Sequence, residues 1–160
     1  MMKKRWLSLY VENHVGILAK ISGLFAGKNY NLDSLTVGST QDPTISRMTI
    51  SLTSSEELFE QIKKQLNRCV GIIKVLDLTD HAILAKELLF VRIHMPDQYL
   101  ETIITQIIGQ PATFFPCSGS QDLVLQLLTS PEQVDQIIAQ LKAFPTLEVI
   151  RGGAVAIQTE

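Results

Sequence analysis

Residues 6–25 read WLSLYVENHVGILAKISGLF. Within this stretch the spacing of apolar residues changes from every second residue to every third or fourth, and this change decides the fold. Side chains alternate up to Val11, which predicts a half-buried β-strand. Segment 12–16 breaks this pattern, and the apolar residues beyond it recur at helical spacing: Ile17, Leu18, Ile21, Leu24 and Phe25. This single stripe predicts a helix that ends near Gly27. The stretch is therefore the strand-to-helix half of an α+β unit.

The residues after this stretch complete one such unit. Segments 31–37 and 46–53 are predicted strands, and the polar loop between them has the turn residues of a β-hairpin. A serine and two glutamates at 55–57 predict the start of a second helix, with a buried stripe of Leu58, Ile62, Leu66 and Val70. Segment 72–78 closes the unit as a strand.

The second half of the chain repeats this order. Its predicted strands are 88–95, 113–117, 123–128 and a last strand made of 147–150 with 154–157. Helices are predicted after Pro96 and from Ser130, where a proline occupies the first helical position. We therefore expect an α+β protein of two ferredoxin-like βαββαβ domains, residues 1–80 and 81–160.

Both helices of each predicted domain pack on one face of its sheet. The other face and the sheet edges then need a cover, because open edges and faces favour association. We therefore expect a self-associating protein, with a homodimer as the minimum.

The composition is that of a packed globular protein. Hydrophobic residues make up 46% of the 160 residues, charged residues 19%, and the formal net charge is −2. Disordered chains contain far fewer apolar residues. No apolar run reaches the roughly 20 residues that span a bilayer, and the first residues lead into a strand instead of an apolar signal segment. We expect a cytoplasmic protein with no membrane partner.

Charge and cysteine usage exclude further classes. Residues 1–80 carry a net charge of +2 and residues 81–160 carry −4, and neither half has a Lys/Arg cluster. Because neutralised phosphates supply most of the affinity for nucleic acids, we expect no nucleic-acid partner. Cys69 and Cys117 are too few for a disulfide framework and match no metal spacing, so we expect buried free thiols.

The sequence contains no catalytic constellation. His14, His81 and His94 fall in a loop, the linker and a strand, without a neighbouring nucleophile or second metal ligand. Segment 23–29, GLFAGKN, resembles a phosphate loop, but it is one residue short between the glycines and it ends a helix instead of starting one. We expect no catalytic residue, no metal site and no enzyme activity.

The first strand-to-helix turn is the most suggestive binding site. A helix start presents free N–H groups and partial positive charge, which favour a carboxylate. Gly16 leaves the approach open, the Asn13 amide can cap the helix or bond a ligand, and Ile17 and Leu18 add an apolar wall. The same residues also suit an ordinary helix cap that binds nothing, so the residues alone leave both interpretations open.

Five ordered segments give the sequence a specific resemblance. They are LSLYVENHVGIL at 7–18, GLF at 23–25, YNLDSLTV at 30–37, DPTISRMTI at 42–50 and EVIRGGAVA at 148–156. Together they resemble the regulatory small subunits of acetolactate (acetohydroxyacid) synthase. The first four correspond to the amino-terminal ACT domain of that family, over about residues 6–80. The fifth is similar to its carboxy-terminal domain, whereas residues 87–147 depart from the family pattern.

The resemblance implies a non-catalytic subunit that activates a catalytic (large) subunit and mediates feedback inhibition by valine in the biosynthesis of branched-chain amino acids, among them valine and isoleucine. Thiamine diphosphate, magnesium and FAD would then belong to the catalytic partner, with no cofactor in this chain. In the family, the amino acid lies at a homodimer interface between ACT domains. By matching position, the effector-binding residues are Asn13, Gly16, Ile17 and Leu18 of one chain with Asn31 and Leu32 of its mate.

The residue chemistry agrees with this assignment. N–H groups at the helix start suit the carboxylate, the oxygens of Asn13 and Asn31 suit the ammonium group, and Ile17 and Leu32 suit a small branched side chain. One methylene changes binding by only about 1–3 kcal/mol, so we expect graded discrimination among valine, leucine and isoleucine.

The family also uses the hairpin loop to contact and activate the catalytic subunit. The matching contact residues are Pro43, Thr44, Arg47 and Met48. Pro43 would stiffen the loop, and the planar fork of Arg47 would pair with an acidic partner surface. The alternative function is a free-standing ACT-domain amino-acid sensor that acts on another partner.

Overall fold

The computed structural model describes residues 1–27, 30–94 and 100–160. Contacts between residues divide them into a first unit, Met1–Leu84 with Ala154–Glu160, and a second unit, Ala85–Gly153. Residues 154–160, which we expected in the second domain, thus belong to the first unit.

The first unit is a four-stranded sheet with two helices. Its elements are β1 (Lys3–Glu12), α1 (Ile17–Ala26), β2 (Ser34–Ser39), β3 (Ile45–Ser54), α2 (Glu56–Asn67) and β4 (Ile72–Asp77). The strand order is β2-β3-β1-β4, and all three neighbouring pairs are antiparallel, with Leu7 opposite Ile50 in the centre.

The second sheet repeats this order as β6-β7-β5-β8. Its elements are β5 (Ile83–His94), α3 (Leu100–Ile108), β6 (Thr113–Pro116), β7 (Asp122–Thr129), α4 (Pro131–Leu141) and β8 (Thr146–Gln158). The prediction of an α+β fold with two ferredoxin-like repeats is confirmed.

The core of the first unit lies between its helices and one face of its sheet. Strands β1 and β3 contribute alternate residues, and α1 and α2 contribute one stripe each. The buried residues are Leu7, Leu9, Val11, Ile17, Ile21, Phe25, Met48, Ile50, Leu52, Phe59, Ile62 and Leu66. Burial of one such side chain contributes about 1.5–3 kcal/mol to folding, which explains why the periodicity predicted these elements.

Several local expectations differ from the structure. Val70 was placed in the α2 stripe but is 79% exposed, because α2 ends at Asn67. Strand β8 runs continuously through its two glycines instead of forming two pieces. Both cysteines are half-buried instead of buried, since Cys69 lies after the end of α2 and Cys117 after the end of β6. The predicted helix start after Pro96 lies outside the described residues.

Part of the outer face of the first sheet is covered by its own chain. We call residues 154–160 the strap. The Ala154 N–H donates to Ser34 Oγ at 2.9 Å, and the Thr36 hydroxyl donates to the Ala154 carbonyl at 2.9 Å. Ala154 and Ala156 are each 1% exposed. A second copy of the chain is therefore not needed to cover this part of the face.

A buried carboxylate in the second unit depends on one arginine. Glu87 is 3% exposed and accepts two hydrogen bonds from Arg151, Nε to Oε1 at 2.7 Å and Nη2 to Oε2 at 2.9 Å. Arg151 Nη1 also donates to Asp135 at 2.6 Å. The hydrogen bonds to Glu87 are the main cause of a raised pKa for the Arg151 guanidinium. Such a bidentate pair fixes both side chains.

Replacement of Arg151 by methionine should destabilise the second unit by about 3–5 kcal/mol, because Glu87 is left buried without its counter-ion. Hydrogen exchange of the β5 and β7 amides measures this loss. The double variant Arg151→Met with Glu87→Met should recover most of it, and Lys142→Met at an exposed position is the control. Equal exchange in the single and double variants would contradict this account.

Candidate functional site

The first strand-to-helix turn is open and has no side-chain cap. Gly16 is the N-cap residue of α1 with φ at 89°, and no side chain bonds the first helical N–H groups. A Cβ at this position would meet no atom within 4 Å. Because a positive φ is unfavourable for other residues, the backbone of this turn requires glycine. The space around Gly16 is open to solvent and to a ligand. The exposed helix start keeps donors and partial positive charge for an anion.

The two apolar residues after Gly16 have different positions. Ile17 is 6% exposed, and a Cβ at Gly71 would lie only 2.7 Å from its Cδ1 atom. Leu18 is 41% exposed. Leu18 therefore supplies the accessible apolar surface beside the turn, whereas Ile17 supports the turn from the core side.

Asn13 joins this turn to the hairpin loop. Its backbone N–H donates to the Thr44 carbonyl at 2.7 Å, and its side-chain amide donates to the Pro43 carbonyl at 2.9 Å. The side-chain oxygen of Asn13 remains an acceptor. A depression of about 560 Å³ lies where the turn and the loop meet and is lined by Glu12, Asn13, His14, Pro43, Thr44, Ile45 and Ile73. Asn13 is thus the predicted effector residue that shares this depression with the predicted contact loop, whereas Gly16, Ile17 and Leu18 do not line it.

The loop is ordered from within by Asp42. Its carboxylate accepts hydrogen bonds from the Thr44 hydroxyl at 2.6 Å and from the Thr44 N–H at 2.9 Å. These two bonds lower the pKa of Asp42. Sequence reasoning missed this role, although an aspartate two residues before a threonine is a known signal for such a turn.

A contact beside the turn was also missed by sequence reasoning. Glu12 Oε2 lies 3.2 Å from His14 Nε2 at the rim of the depression, and both side chains are about half exposed. Nothing in the spacing of these two residues predicts that they meet, since the β1 end and the turn must first bring them together.

Asn31 and Leu32 lie far from this surface within one chain. The neighbouring Asp33 N–H donates to the Ser51 carbonyl, whereas Asn13 reaches Thr44 at the other end of β3. Seven residues of strand separate the two ends, which is about 23 Å at 3.3 Å per residue. Asn31 is exposed, and Leu32 is half-buried against the core. The six predicted effector residues therefore form two separate groups.

The four predicted contact residues also separate. Pro43 and Thr44 are exposed on the loop, but Met48 is fully buried on β3 and its side chain contributes to the core. Arg47 lies on the outer face of the sheet, where Nε donates to Ser8 Oγ at 2.8 Å. The loop surface itself thus consists of residues before β3.

Two classes of site are absent from the part of the chain that the structure describes. No three His, Cys, Asp or Glu side chains there are grouped as a metal site. No described helix is long and apolar enough to cross a membrane.

Two ferredoxin-like repeats, the first with an open glycine turn before α1, define an ACT-domain protein. Comparisons with known proteins give the particular family. Residues 7–74 match the family profile of the AHAS small subunit-like ACT domain, and residues 86–160 match that of the small subunit of acetolactate synthase.

Individual relatives agree with these profiles. The chain is 34% identical to the acetolactate synthase small subunit of Haemophilus influenzae over 96% of this chain and 94% of that protein. It is 33% identical to the Aquifex aeolicus small subunit over 99% of this chain and 83% of that protein. The chain belongs to the family of acetolactate synthase small subunits, as its sequence segments indicated.

A solved structure supports the fold. The acetolactate synthase small subunit of Thermotoga maritima superposes with a TM-score of 0.84 at 23% identity, covering 99% of this chain and 98% of that one. The similarity extends over both repeats.

Replacement of Asn13 by alanine should loosen the loop, because the hydrogen bond to Pro43 is lost. A net loss of about 1 kcal/mol corresponds to about fivefold faster exchange of the loop amides at positions 40–45. Hydrogen exchange detects this change. Asn67→Ala is a matched control, because the Asn67 amide donates to the Lys63 carbonyl at 2.9 Å on exposed α2. Identical loop exchange in both variants would show that Asn13 does not hold the loop.

Proposed function

We propose that this chain is the regulatory, non-catalytic subunit of acetolactate synthase, which activates the catalytic subunit and transmits feedback inhibition by valine. Family membership supplies the general role. The observation that carries the proposal is the pair of hydrogen bonds from Asn13 to Pro43 and Thr44, because it connects an effector turn directly to a partner-contact loop.

The proposed effector site uses the open start of α1. The amino-acid carboxylate binds the uncapped N–H groups of α1 from Leu18 onward, because the Ile17 N–H already donates to the His14 carbonyl at 3.4 Å. The ammonium group binds the side-chain oxygen of Asn13, whose amide nitrogen is already used by Pro43. Leu18 contacts the branched side chain, and Ile17 holds the turn in position.

A second chain completes this site in our proposal. Asn31 and Leu32 lie about 23 Å away along β3, so they cannot reach an amino acid bound at the turn of the same chain. A homodimer through the first domain, residues 1–80, brings these two residues of the mate to the turn. The second unit, Ala85–Gly153, supplies most of the carboxy-terminal domain of the small-subunit type that we expected over residues 81–160, while residues 154–160 pack on the first unit.

The proposed contact with the catalytic subunit is the loop before β3. Pro43 and Thr44 are exposed there, and the bonds between Asp42 and Thr44 order the loop before it binds. A preordered loop loses less entropy on association. Arg47, which the resemblance also assigns to this contact, is held on the outer face of the sheet by Ser8 and Ala156, and buried Met48 anchors the strand behind the loop.

Valine inhibits in this scheme only if it binds one arrangement of the complex more tightly than the other. Coupling free energies of about 1–3 kcal/mol change an affinity 5- to 150-fold. Movement of Asn13 on binding the ammonium group would be passed to the Pro43 carbonyl. Thiamine diphosphate, magnesium and FAD belong to the catalytic subunit in this proposal, and the complex is cytoplasmic.

The proposal is tested by measuring acetolactate formation by a purified catalytic subunit. The assay is run with and without this chain, and valine is titrated in both cases. We expect strong activation that valine reverses. Gly16→Leu should abolish the valine response and keep activation, because a side chain at this turn blocks the helix start. Gly109→Leu is the control, because Gly109 also has a positive φ, 68°, and a Cβ there would likewise meet no atom within 4 Å. Absence of activation would instead favour the free-standing amino-acid sensor.

Replacement of Pro43 by glycine separates the two functions. A more flexible loop loses more conformational entropy on binding the catalytic subunit. About 3- to 10-fold more small subunit should therefore be needed for half-maximal activation. Calorimetry with the isolated chain should give an unchanged affinity for valine. The double variant with Thr44→Gly should show a larger loss. Wild-type activation by both variants would exclude this loop as the contact.

A further inference from the structure

A second cavity of the first unit lies between the strap and the outer face of the sheet. It measures about 240 Å³ and is lined by Thr36, Val37, Gly38, Ser39, Arg47, Thr49 and Val155. It is separate from the turn and from the tip of the loop. We propose that this cavity binds a small organic monocarboxylate with a short aliphatic tail, as a site distinct from that of the amino-acid effector.

The charge of the cavity comes from Arg47. This side chain is half-buried, and it forms no ion pair with a carboxylate of the described chain. By contrast, Arg5 pairs with Glu56 at 2.7 Å, and Arg151 pairs with Glu87 at 2.7 Å. A partly desolvated cation without a counter-ion is costly, and an anionic ligand offsets that cost.

The guanidinium group is also held in a fixed orientation. Nε donates to Ser8 Oγ at 2.8 Å, Nη2 donates to the Ala156 carbonyl at 3.0 Å, and the group lies 5.6 Å from the centre of the Tyr10 ring. Nη1 makes no hydrogen bond to the described residues and is the donor left for a carboxylate. Because the strap and β1 already order Arg47, a ligand loses little side-chain entropy on binding.

Two threonines place hydroxyl groups beside this cation. Thr49 is 3% exposed and stands opposite Thr36 in the β2–β3 ladder. The Thr36 hydroxyl donates to the Ala154 carbonyl, whereas the Thr49 hydroxyl has no hydrogen bond to a described residue. Thr49 can therefore donate to one carboxylate oxygen while Arg47 binds the other.

The remaining lining determines the rest of the ligand. Gly38 stands opposite Arg47, and a Cβ there would meet no atom within 4 Å, so space remains beside the cation. Val37 and Val155 supply apolar walls. Among the described residues, no aspartate or glutamate lines the cavity to neutralise an ammonium group. A short aliphatic acid without an amino group fits this lining better than an amino acid does.

Titration of the isolated full-length chain with isobutyrate, followed by amide NMR, tests this site. We expect saturable shifts at Gly38, Thr49 and Val155 with a millimolar dissociation constant. Isobutyramide, which has the same shape without the charge, should bind at least tenfold more weakly. Arg47→Gln should also weaken isobutyrate at least tenfold, and Lys74→Gln, an exposed cation on β4, should leave the affinity unchanged.

The variant Gly38→Val distinguishes loss of ligand binding from misfolding. Its backbone φ is not positive, and the added side chain enters open space on edge strand β2. This variant should keep the wild-type melting temperature and lose the isobutyrate shifts by filling the cavity. Equal affinity in wild type, Arg47→Gln and Gly38→Val would overturn the proposal.

The alternative is that an acidic side chain of the catalytic subunit forms an ion pair with Arg47. In that case the isolated chain would show no saturable isobutyrate shifts, and Arg47→Gln would weaken only the association with the catalytic subunit. That result would also overturn the proposal. Because the NMR titration uses the small subunit alone, its outcome is independent of whether the chain activates acetolactate synthase.

Discussion

Strand β1 is buried on both faces, and the first unit is built around this constraint. Leu7 and Leu9 face the helices, while Ser8 on the other side is 0% exposed under Arg47. A buried hydroxyl needs a partner, and the partner here is a cation that in turn needs acceptors. The carbonyl of Ala156 supplies one of them. The core strand, the arginine and the strap therefore depend on one another.

The same strand ends at the candidate effector site. Val11 is the last buried residue of β1, and two residues later Asn13 turns its amide to the Pro43 carbonyl. The turn thus has a rigid strand on one side and an uncapped helix on the other. The structure shows that Gly16 is the N-cap residue of α1 and that the Asn13 side chain does not cap this helix.

The periodicity of the sequence predicted the helices and strands whose formation depends on residues close in sequence. The stripes of α1 and α2 and the alternation in β1 and β3 place their side chains by local geometry alone, so these elements were found. Val70 was misplaced because nothing local distinguishes the last turn of α2 from the turn after it. Contacts such as Arg47 with Ala156 join residues more than a hundred positions apart, and no spacing rule encodes them. The family resemblance named Arg47 without revealing that the strap binds it.

The position of the strap at the end of the chain also determines when, during translation, the first unit can be completed. The helices and all four strands of the first unit leave the ribosome before the second unit, yet residues 154–160 follow only after Gly153. At 5–20 residues per second, translation of the second unit takes about 3–14 s. During that interval the strap cannot yet cover the outer face that holds Arg47 and Ser8. The first unit is therefore completed only after the second unit has been translated.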